Sequence, residues 1–231
     1  MDNSINFFLL IRPKHYALYA IDENYQILFK EETFFNDESS GIDYSSIKKF
    51  LDKNIFNLEK KLNLYIEDIN LIIDNKNFVK INLSLTKNFK NIFRQFNISL
   101  NDLSNIKESV LKNNKNYELI HMVINKFIID KKDFVIHLEE DNQKNVFLEI
   151  GMICLKKKII NIFQEILLNY QISIKNIFSF EYVNSFKSTE NNNISVLAYK
   201  LNNGLNSNEI SFRKKTPIKV GFFEKFFRFF S

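Results

Sequence analysis

The order of hydrophobic and polar residues along the chain predicts groups of short strands separated by amphipathic helices. Strands are indicated where apolar residues form short blocks between polar turns, and helices where apolar residues recur every three or four positions. The predicted strands are 7–11, 16–21, 26–35, 68–73, 78–85, 117–130, 133–138, 146–155 and 172–182. The predicted helices run from 45 or 46 to about 62, from 99 or 101 to 112, from 156 to 170 and from 194 to about 201, whereas 89–98 fits either type. Together these elements predict an α+β protein.

Length and composition fit a globular protein without a phosphate-binding motif. The 231 residues allow one large or two small domains, and a hydrophobic content of 45% is enough for a core. Cofactor folds that hold phosphate with backbone amides need glycines at fixed spacing. The four glycines of this chain stand far apart, which excludes a P-loop and a dinucleotide fingerprint. They are Gly41, Gly151, Gly204 and Gly221.

The histidines and the single cysteine show no pattern of catalysis or metal binding. His15, His121 and His137 have no metal-ligand spacing with one another or with Cys154. His121 and His137 lie in strand-like runs, so we expect them at core or edge positions. Cys154 lies in an apolar run, which predicts an unreactive core thiol, and a lone cysteine excludes an internal disulfide.

Charged clusters in the body of the chain predict solvent-exposed surface. The carboxylates at 31–32 and 139–141 lie at a strand end and in a turn, and the lysines at 156–158 open a helix. Catalytic carboxylates need surroundings that shift their pKa, which nothing in these runs indicates. Residues 1–212 carry no net charge, whereas nucleic-acid binding needs a basic body surface. We therefore predict no catalytic, cofactor-binding or metal-binding residues and no nucleic-acid partner.

The last fourteen residues, 218–231, predict an amphipathic helix with an aromatic face. Six phenylalanines fall within one arc when the residues are placed about 100° apart around a helix. They are Phe222, Phe223, Phe226, Phe227, Phe229 and Phe230. Lys225 and Arg228 fall on the opposite face, and Lys219 lies just before the aromatic residues. So large an apolar face is expected to be buried in lipid, in a partner or against the chain's own core.

Positive charge favours lipid as the environment of this face. Residues 213–231 contain six basic residues and one acidic residue, which accounts for the whole net charge of +5. An aromatic face beside basic residues is typical of a helix that lies in an anionic membrane surface and folds on contact. The alternatives are a terminal helix on the protein's own core and a helix in a partner's groove. No stretch is long enough to span a membrane and no secretory signal is present, so attachment from one side is expected.

The order of elements and one local string resemble the bacterial cell-division FtsA family of the actin-like superfamily. The string is 118–130, in which His121 lies in a hydrophobic strand that ends in an aromatic residue, two aliphatic residues and Asp130. A polar linker followed by a basic amphipathic helix is also how that family ends. The other matching elements are the helix at 100–112, the strand at 151–155, the helix at 156–170 and the strand at 172–180.

The resemblance implies a division of the chain and a location in the cell. It implies an actin-like first-subdomain remnant at 1–85 and an SHS2-type subdomain with a returning helix and strand at 86–183. A polar and basic linker at 184–217 and a membrane-targeting helix at 218–231 follow. In that family the SHS2-type subdomain serves protein–protein contacts, and the final helix tethers the protein to the inner face of the cytoplasmic membrane. The implied partners are an anionic membrane surface, divisome proteins such as FtsZ and further copies of the chain, with a location at midcell.

Two departures from the family pattern change these implications. The family's phosphate-binding hairpin, of the type Leu-Asp-Ile-Gly-Thr-Ser-Lys, corresponds here to 9–15, where Leu10 replaces the acid and Arg12 the glycine. At 231 residues the chain is also expected to lack the second half of an actin-like fold. In the family that half carries the other phosphate loop, the adenosine site and the surface that binds the C-terminal peptide of FtsZ. We therefore expect no ATP binding, and the resemblance leaves FtsZ without its usual binding surface.

Taken together, these patterns favour a non-catalytic, FtsA-like adaptor that holds divisome components at the cytoplasmic membrane. Self-association of the chain would multiply the tails and strengthen attachment. The first alternative is a scaffold resembling PilM, the actin-like protein of type IV pili, in a pilus or secretion assembly. The second alternative is a small soluble enzyme with an unrecognised site, for which a deep polar pocket with convergent ionisable groups would be expected.

Overall fold

The computed structural model describes six ranges of the chain. They are 5–35, 41–90, 100–129, 132–133, 143–189 and 192–210. The predicted tail helix at 218–231, most of the ambiguous stretch at 89–98, His137 and the acidic turn at 139–142 lie outside the described residues. The mixture of strands and helices within the six ranges confirms the α+β prediction.

The described residues form nine strands and five helices. In chain order they are β1 (Asn6–Arg12), β2 (His15–Ile21), β3 (Ile27–Phe34), α1 (Tyr44–Leu62), β4 (Asp68–Ile73), β5 (Phe78–Lys90), α2 (Leu100–Asn113), β6 (Tyr117–Ile129), β7 (Lys132–Asp133), β8 (Gln143–Lys156), α3 (Lys157–Leu168), β9 (Ser173–Ser179), α4 (Phe180–Asn184) and α5 (Ile194–Asn202). Most elements lie where the hydrophobic pattern predicted them.

The first sheet has five strands in the order β3-β2-β1-β4-β9. β1, β2 and β3 form an antiparallel meander, whereas β4 runs parallel to β1, and β9 runs parallel to β4. α1 and α3 pack on one face of this sheet, and α4 and α5 pack on the other. Because both faces are covered, β1 is a continuous apolar run, and Leu9, Leu10 and Ile11 are all fully buried.

The second sheet has four antiparallel strands in the order β5-β8-β6-β7. One face packs in a third core cluster to which α2 contributes Leu103 and the strands contribute Met122, Ile150 and Cys154. Burial raises the pKa of the Cys154 thiol to about 11. This confirms the prediction of an unreactive core cysteine, because the thiolate is the reactive form.

Helix α1 shows how the local sequence sets an element's ends. Its N-cap is Asp43 rather than Ser45 or Ser46, because the Asp43 carboxylate accepts hydrogen bonds from both serines. The Ser45 N–H donates at 2.9 Å and the Ser46 hydroxyl at 2.6 Å. At the other end Asn63 adopts a left-handed conformation, with φ of 52°, and stops the helix.

The predicted strand over 172–182 is wrong at its end. β9 ends earlier, and α4 begins at Phe180. Alternating aromatic residues in this stretch suggested a strand, but tertiary contacts override that preference. The ring of Phe180 lies under the guanidinium of Arg12, and Tyr182 packs against His121.

Sheet membership divides the chain differently from the boundaries that the resemblance implied. β5 begins at Phe78 and pairs with β8 along its whole length, so residues 78–85 belong to the second sheet. Within the range 184–217, which was expected to be a linker, α5 packs in the core of the first sheet. Leu197 and Ala198 of α5 are both fully buried. Within the described ranges, no helix is both long and apolar enough to cross a lipid bilayer.

Candidate functional site

A cavity of about 580 Å³, here called the groove, lies between the two sheets. β6 borders it with five consecutive residues, 118–122, and β9 borders it with five consecutive residues, 174–178. A strand that presents only one face contributes alternate residues. Consecutive residues therefore show that the groove runs along the edges of both strands. Lys107 of α2, Gln164 of α3 and Leu201 of α5 contribute to its remaining walls.

The outer edge of β9 presents backbone groups to this groove. β9 is the last strand of its sheet, so one of its edges faces β4 and the other faces outward. The N–H of Ser179 points outward, because it donates to Nε2 of His121 at 3.1 Å. The two-residue period of a strand then directs the N–H and C=O of Ile177 to the same side. Such an edge is a template for an added strand.

The edge of β6 is covered in part by the C-terminal end of the described chain. The N–H of Ile210 donates to the carbonyl of Met122 at 2.8 Å, and the N–H of Ile124 donates to the carbonyl of Asn208 at 3.0 Å. Residues 206–210, here called the edge segment, thus add a short strand-like piece to β6. Residues 118–120 of the same strand border the groove. The predicted tail begins at residue 218, eight positions after the edge segment ends at Ile210.

A partly buried polar cluster joins β6, α4 and the edge segment. Nδ1 of His121 lies 2.7 Å from Oε1 of Glu209, while its Nε2 accepts from the Ser179 N–H. Since a backbone amide can only donate, the proton of the neutral ring is assigned to Nδ1. Tyr182 donates its hydroxyl to the other Glu209 oxygen at 2.7 Å, and Asn206 donates to the Tyr182 oxygen at 2.9 Å.

Burial and charge in this cluster fix the protonation of the tyrosine. Desolvation, with the Glu209 carboxylate in addition, raises the pKa of the Tyr182 phenol above its usual range. The phenol therefore stays a donor at neutral pH. The rings of Tyr182 and His121 lie 4.2 Å apart between centroids. The cluster holds one wall of the groove in a fixed geometry, since each of its members has a partner.

His121 confirms the prediction of a core histidine, because only 3% of it is exposed. Both of its ring nitrogens are engaged, which leaves neither nitrogen available to a substrate. Sequence analysis missed Glu209 and Tyr182 as its partners. Glu209 is 88 residues away in the chain and lies in a stretch expected to be a linker, so no local pattern marks the pair.

A chain of amides supports the opposite wall. Nδ2 of Asn176, on β9, donates to Oδ1 of Asn70 at 2.6 Å, and Nδ2 of Asn70 donates to the carbonyl of Phe7 at 3.0 Å. Asn70 is a fully buried polar residue in β4. Because a buried amide must be paired, this chain fixes Asn176 at the groove. The groove therefore combines strand edges with rigidly held polar side chains.

A second place of interest is the end of the parallel strands, where α/β sheets commonly bind ligands. Here Nε of Arg12 donates to Oδ2 of Asp74 at 3.2 Å. The Arg12 guanidinium also lies 4.1 Å above the centre of the Phe180 ring. The side chain that replaces the family's glycine is thus held across this end of the sheet, with its charge paired to Asp74. In the described residues, no group of three or more His, Cys, Asp or Glu side chains could hold a metal ion.

We expect no saturable binding of ATP or ADP, with or without Mg²⁺, in a calorimetric titration of the chain. Arg12 places a side chain at the strand ends, where a backbone would have to approach phosphate, and pairs its charge with Asp74, so we expect phosphate to bind poorly there. A one-site isotherm with a dissociation constant below millimolar would contradict this expectation. Arg12→Ala serves as a control that vacates the strand ends without changing either sheet.

The predicted membrane-binding residues lie outside the described part of the chain. They are Lys219, Phe222, Phe223, Lys225, Phe226, Phe227, Arg228, Phe229 and Phe230. The prediction of a solvated carboxylate pair at 31–32 is confirmed, because both residues are exposed on β3. Glu32 forms ion pairs with Lys30 at 2.8 Å and with His15 at 3.2 Å.

Comparison with known proteins found similarity among solved structures. No protein-family model and no curated protein matches the sequence. One similar solved structure is the "PilM-PilN type IV pilus biogenesis complex", with 8% identity and a TM-score of 0.43 over 80% of this chain and 50% of that chain. Another is the cytoplasmic domain of EpsL, an inner membrane component of the type II secretion system of Vibrio cholerae, with 6% identity and a TM-score of 0.36. That match covers 81% of this chain and 59% of that one. This chain thus spans 50% of the length of the first chain and 59% of the second.

Proposed function

We propose that this chain is a non-catalytic scaffold that binds an extended segment of a partner protein at the cytoplasmic face of a membrane. The observation that carries the proposal is the groove between the edges of β6 and β9. An extended peptide can bind such a groove as an added strand, because the backbone groups of Ile177 offer main-chain hydrogen bonds. Side-chain specificity would come from polar groups on the walls, such as Asn176, which is bonded to Asn70, and the exposed Glu118.

Several features support binding rather than catalysis. The groove contains ionisable side chains, as a small enzyme would, but the partly buried pair of His121 and Glu209 is engaged in structural hydrogen bonds. A catalytic acid or base must be within reach of the substrate's proton. At the strand ends, Arg12 is likewise held by Asp74 and Phe180. We therefore favour the scaffold over the small soluble enzyme as the proposed function.

The position of the edge segment supports a membrane-side role. Ile210 is bound to β6 beside the groove, and the aromatic tail sequence begins at 218. Eight residue steps of extended chain reach at most about 30 Å. A tail that lies in an anionic lipid surface would therefore keep the groove near that surface. A partner whose segment emerges from the same membrane would meet the groove at high effective concentration.

Two assemblies are candidates for the scaffold. The first is a pilus or secretion assembly, the kind to which the two similar structures belong, where a PilM-like scaffold would bind a segment of an inner-membrane component. The second is the divisome, which the FtsA resemblance implies, where the chain would be an adaptor for FtsZ or another division protein at midcell. The identity of the groove's partner separates the two.

The proposal predicts a specific cross-link from the groove. A photoreactive amino acid at Gln164, which is exposed and borders the groove, is expected to capture one membrane-assembly protein in cells of the source organism. Glu165 is the matched control, since it is exposed on the same helix but does not border the groove. A pilus or secretion component would support the first assembly, and a division protein the second. Equal capture from both positions, or none from Gln164, would contradict the proposed groove function.

A further inference from the structure

The second free edge of the first sheet, on β3, lies at the opposite end of the strand order from the groove. In the described ranges the sheet ends at β3, and its side chains are unusually open to solvent. Phe34 is 65% exposed and Ile27 is 40% exposed, while Lys30, Glu31 and Glu32 are also exposed. An eight-residue edge with apolar ends and charged centre has the features of a strand that pairs with another chain.

We propose that β3 pairs with β3 of a second copy of this chain, in an antiparallel arrangement centred on Glu31. A two-fold axis perpendicular to the sheet keeps each residue on its own face, so side chains of the same face meet. With Glu31 at the centre, Lys30 of each copy lies opposite Glu32 of the other. Phe29 of each copy then lies opposite Thr33 of the other, whereas Leu28 lies in a β-bulge, because Ala20 pairs with Phe29 and Ile21 with Ile27. The proposal is independent of the groove and its partner.

Charge selects this register over its neighbours. Moving the centre to Lys30 places the two lysines opposite each other, and moving it to Glu32 does the same with two glutamates. Like charges that are directly opposed destabilise a strand pair, whereas opposite charges stabilise it. The Lys30 ammonium holds the pKa of Glu32 below its usual range, so the Glu32 carboxylate is charged at neutral pH. Only the centre at Glu31 forms two cross-strand ion pairs at once.

The remaining contacts fit the same register. The exposed ring of Phe34 is stacked on His15, with centroids 4.1 Å apart, which holds it on the same face as Lys30 and Glu32. The unfavourable contact in this register is the central pair of Glu31 side chains, which oppose each other with like charges. Lys61 lies over the Phe29 ring, with its Nζ 5.4 Å from the centroid. Phe29 and Glu31 share a face, so each copy brings a positive charge to the face of the central glutamates.

The expected strength is low in solution and higher on a membrane. One pair of short strands buries far less surface than a stable protein interface, which needs about 1,200–2,000 Å² in total. Two copies held on one lipid surface by their tails would meet at raised effective concentration. We therefore expect a dimer that forms on the membrane. In this dimer the two β3 strands pair at the centre, and each groove lies at the far end of its own sheet, beside β9.

Disulfide trapping tests the register. Glu31→Cys is expected to form a dimer under mild oxidation, because opposed residues in an antiparallel pair have Cα atoms about 4.5–5.5 Å apart, within disulfide range. Lys30→Cys is the matched control, since residue 30 lies opposite residue 32. A mixture of Lys30→Cys with Glu32→Cys should cross-link, and the unaltered chain should not, because Cys154 is buried. Equal yields from Glu31→Cys and Lys30→Cys, or no dimer from Glu31→Cys on anionic vesicles, would overturn the proposal.

Charge exchange provides the second measurement. Lys30→Glu is expected to reduce trapping of Glu31→Cys by removing both ion pairs and adding like charges. Lys30→Glu with Glu32→Lys restores the pairs in reversed order and should restore trapping. Both residues are exposed, so neither change alters the core. If the double exchange traps no better than Lys30→Glu alone, the register centred on Glu31 is wrong, even if a dimer forms elsewhere.

Discussion

Replacement of Phe226 and Phe227 by glutamate is expected to release the chain from vesicles that contain anionic lipid. Each buried phenylalanine side chain contributes up to about 1.5–3 kcal/mol, less at the headgroup level. Each new carboxylate near the surface also opposes the attraction of a basic residue, which is worth about 1 kcal/mol. The combined loss of several kcal/mol corresponds to a fall in partitioning of more than about 100-fold. Vesicle sedimentation at fixed lipid concentration measures it.

The matched control keeps the aromatic face apolar. Phe226→Leu with Phe227→Leu removes the rings but retains most of the apolar area, so binding is expected to fall only slightly. Vesicles of purely zwitterionic lipid should bind the unaltered chain less tightly, because the five surplus charges of 213–231 lose their partner. Unchanged sedimentation of the glutamate variant would exclude the tail as the anchor and remove the membrane from the proposed function.

Local patterns were sufficient to predict most elements of this fold. In α3 the recurrence of Ile159, Phe163 and Ile166 reflects one face against the first sheet, and all three are buried. Such a signal is contained in consecutive residues, and no knowledge of the partner surface is needed to see it. The errors arose where long-range contacts decided the outcome, as at Phe180, whose ring packs under Arg12.

The groove could not be predicted in the same way, because it depends on which strands become edges. β6 ends at Ile129 and β9 begins at Ser173, 44 positions later in the chain (173 − 129). The hydrophobic pattern of each strand does not show which neighbour that strand pairs with. The edge segment gave no signal at all. Glu209 and Asn206 are ordinary polar residues in sequence, and their place in the cluster follows from the two backbone hydrogen bonds that hold the segment on β6.

His121→Leu is expected to lower the free energy of unfolding by about 2–4 kcal/mol. Leucine is close to histidine in size, so the loss comes from unpaired polar groups rather than from a cavity. The Ser179 N–H is buried and loses its acceptor, and the Glu209 carboxylate loses a donor. A buried donor without a partner costs about 1–3 kcal/mol, and more when the lost partner bound a charged group. Urea denaturation followed by circular dichroism measures the change.

His15→Leu is the matched control, because His15, at the start of β2, also bonds a glutamate. The bond between His15 and Glu32 is solvent-exposed, and such pairs are worth at most about 1 kcal/mol. The two variants should therefore differ clearly in stability. Amide exchange supplies a second readout, since His121→Leu should expose the N–H of Ile210 by loosening the edge segment from β6. Equal stability losses in the two variants, with the Ile210 N–H still protected from exchange, would show that the cluster does not hold the edge segment on β6.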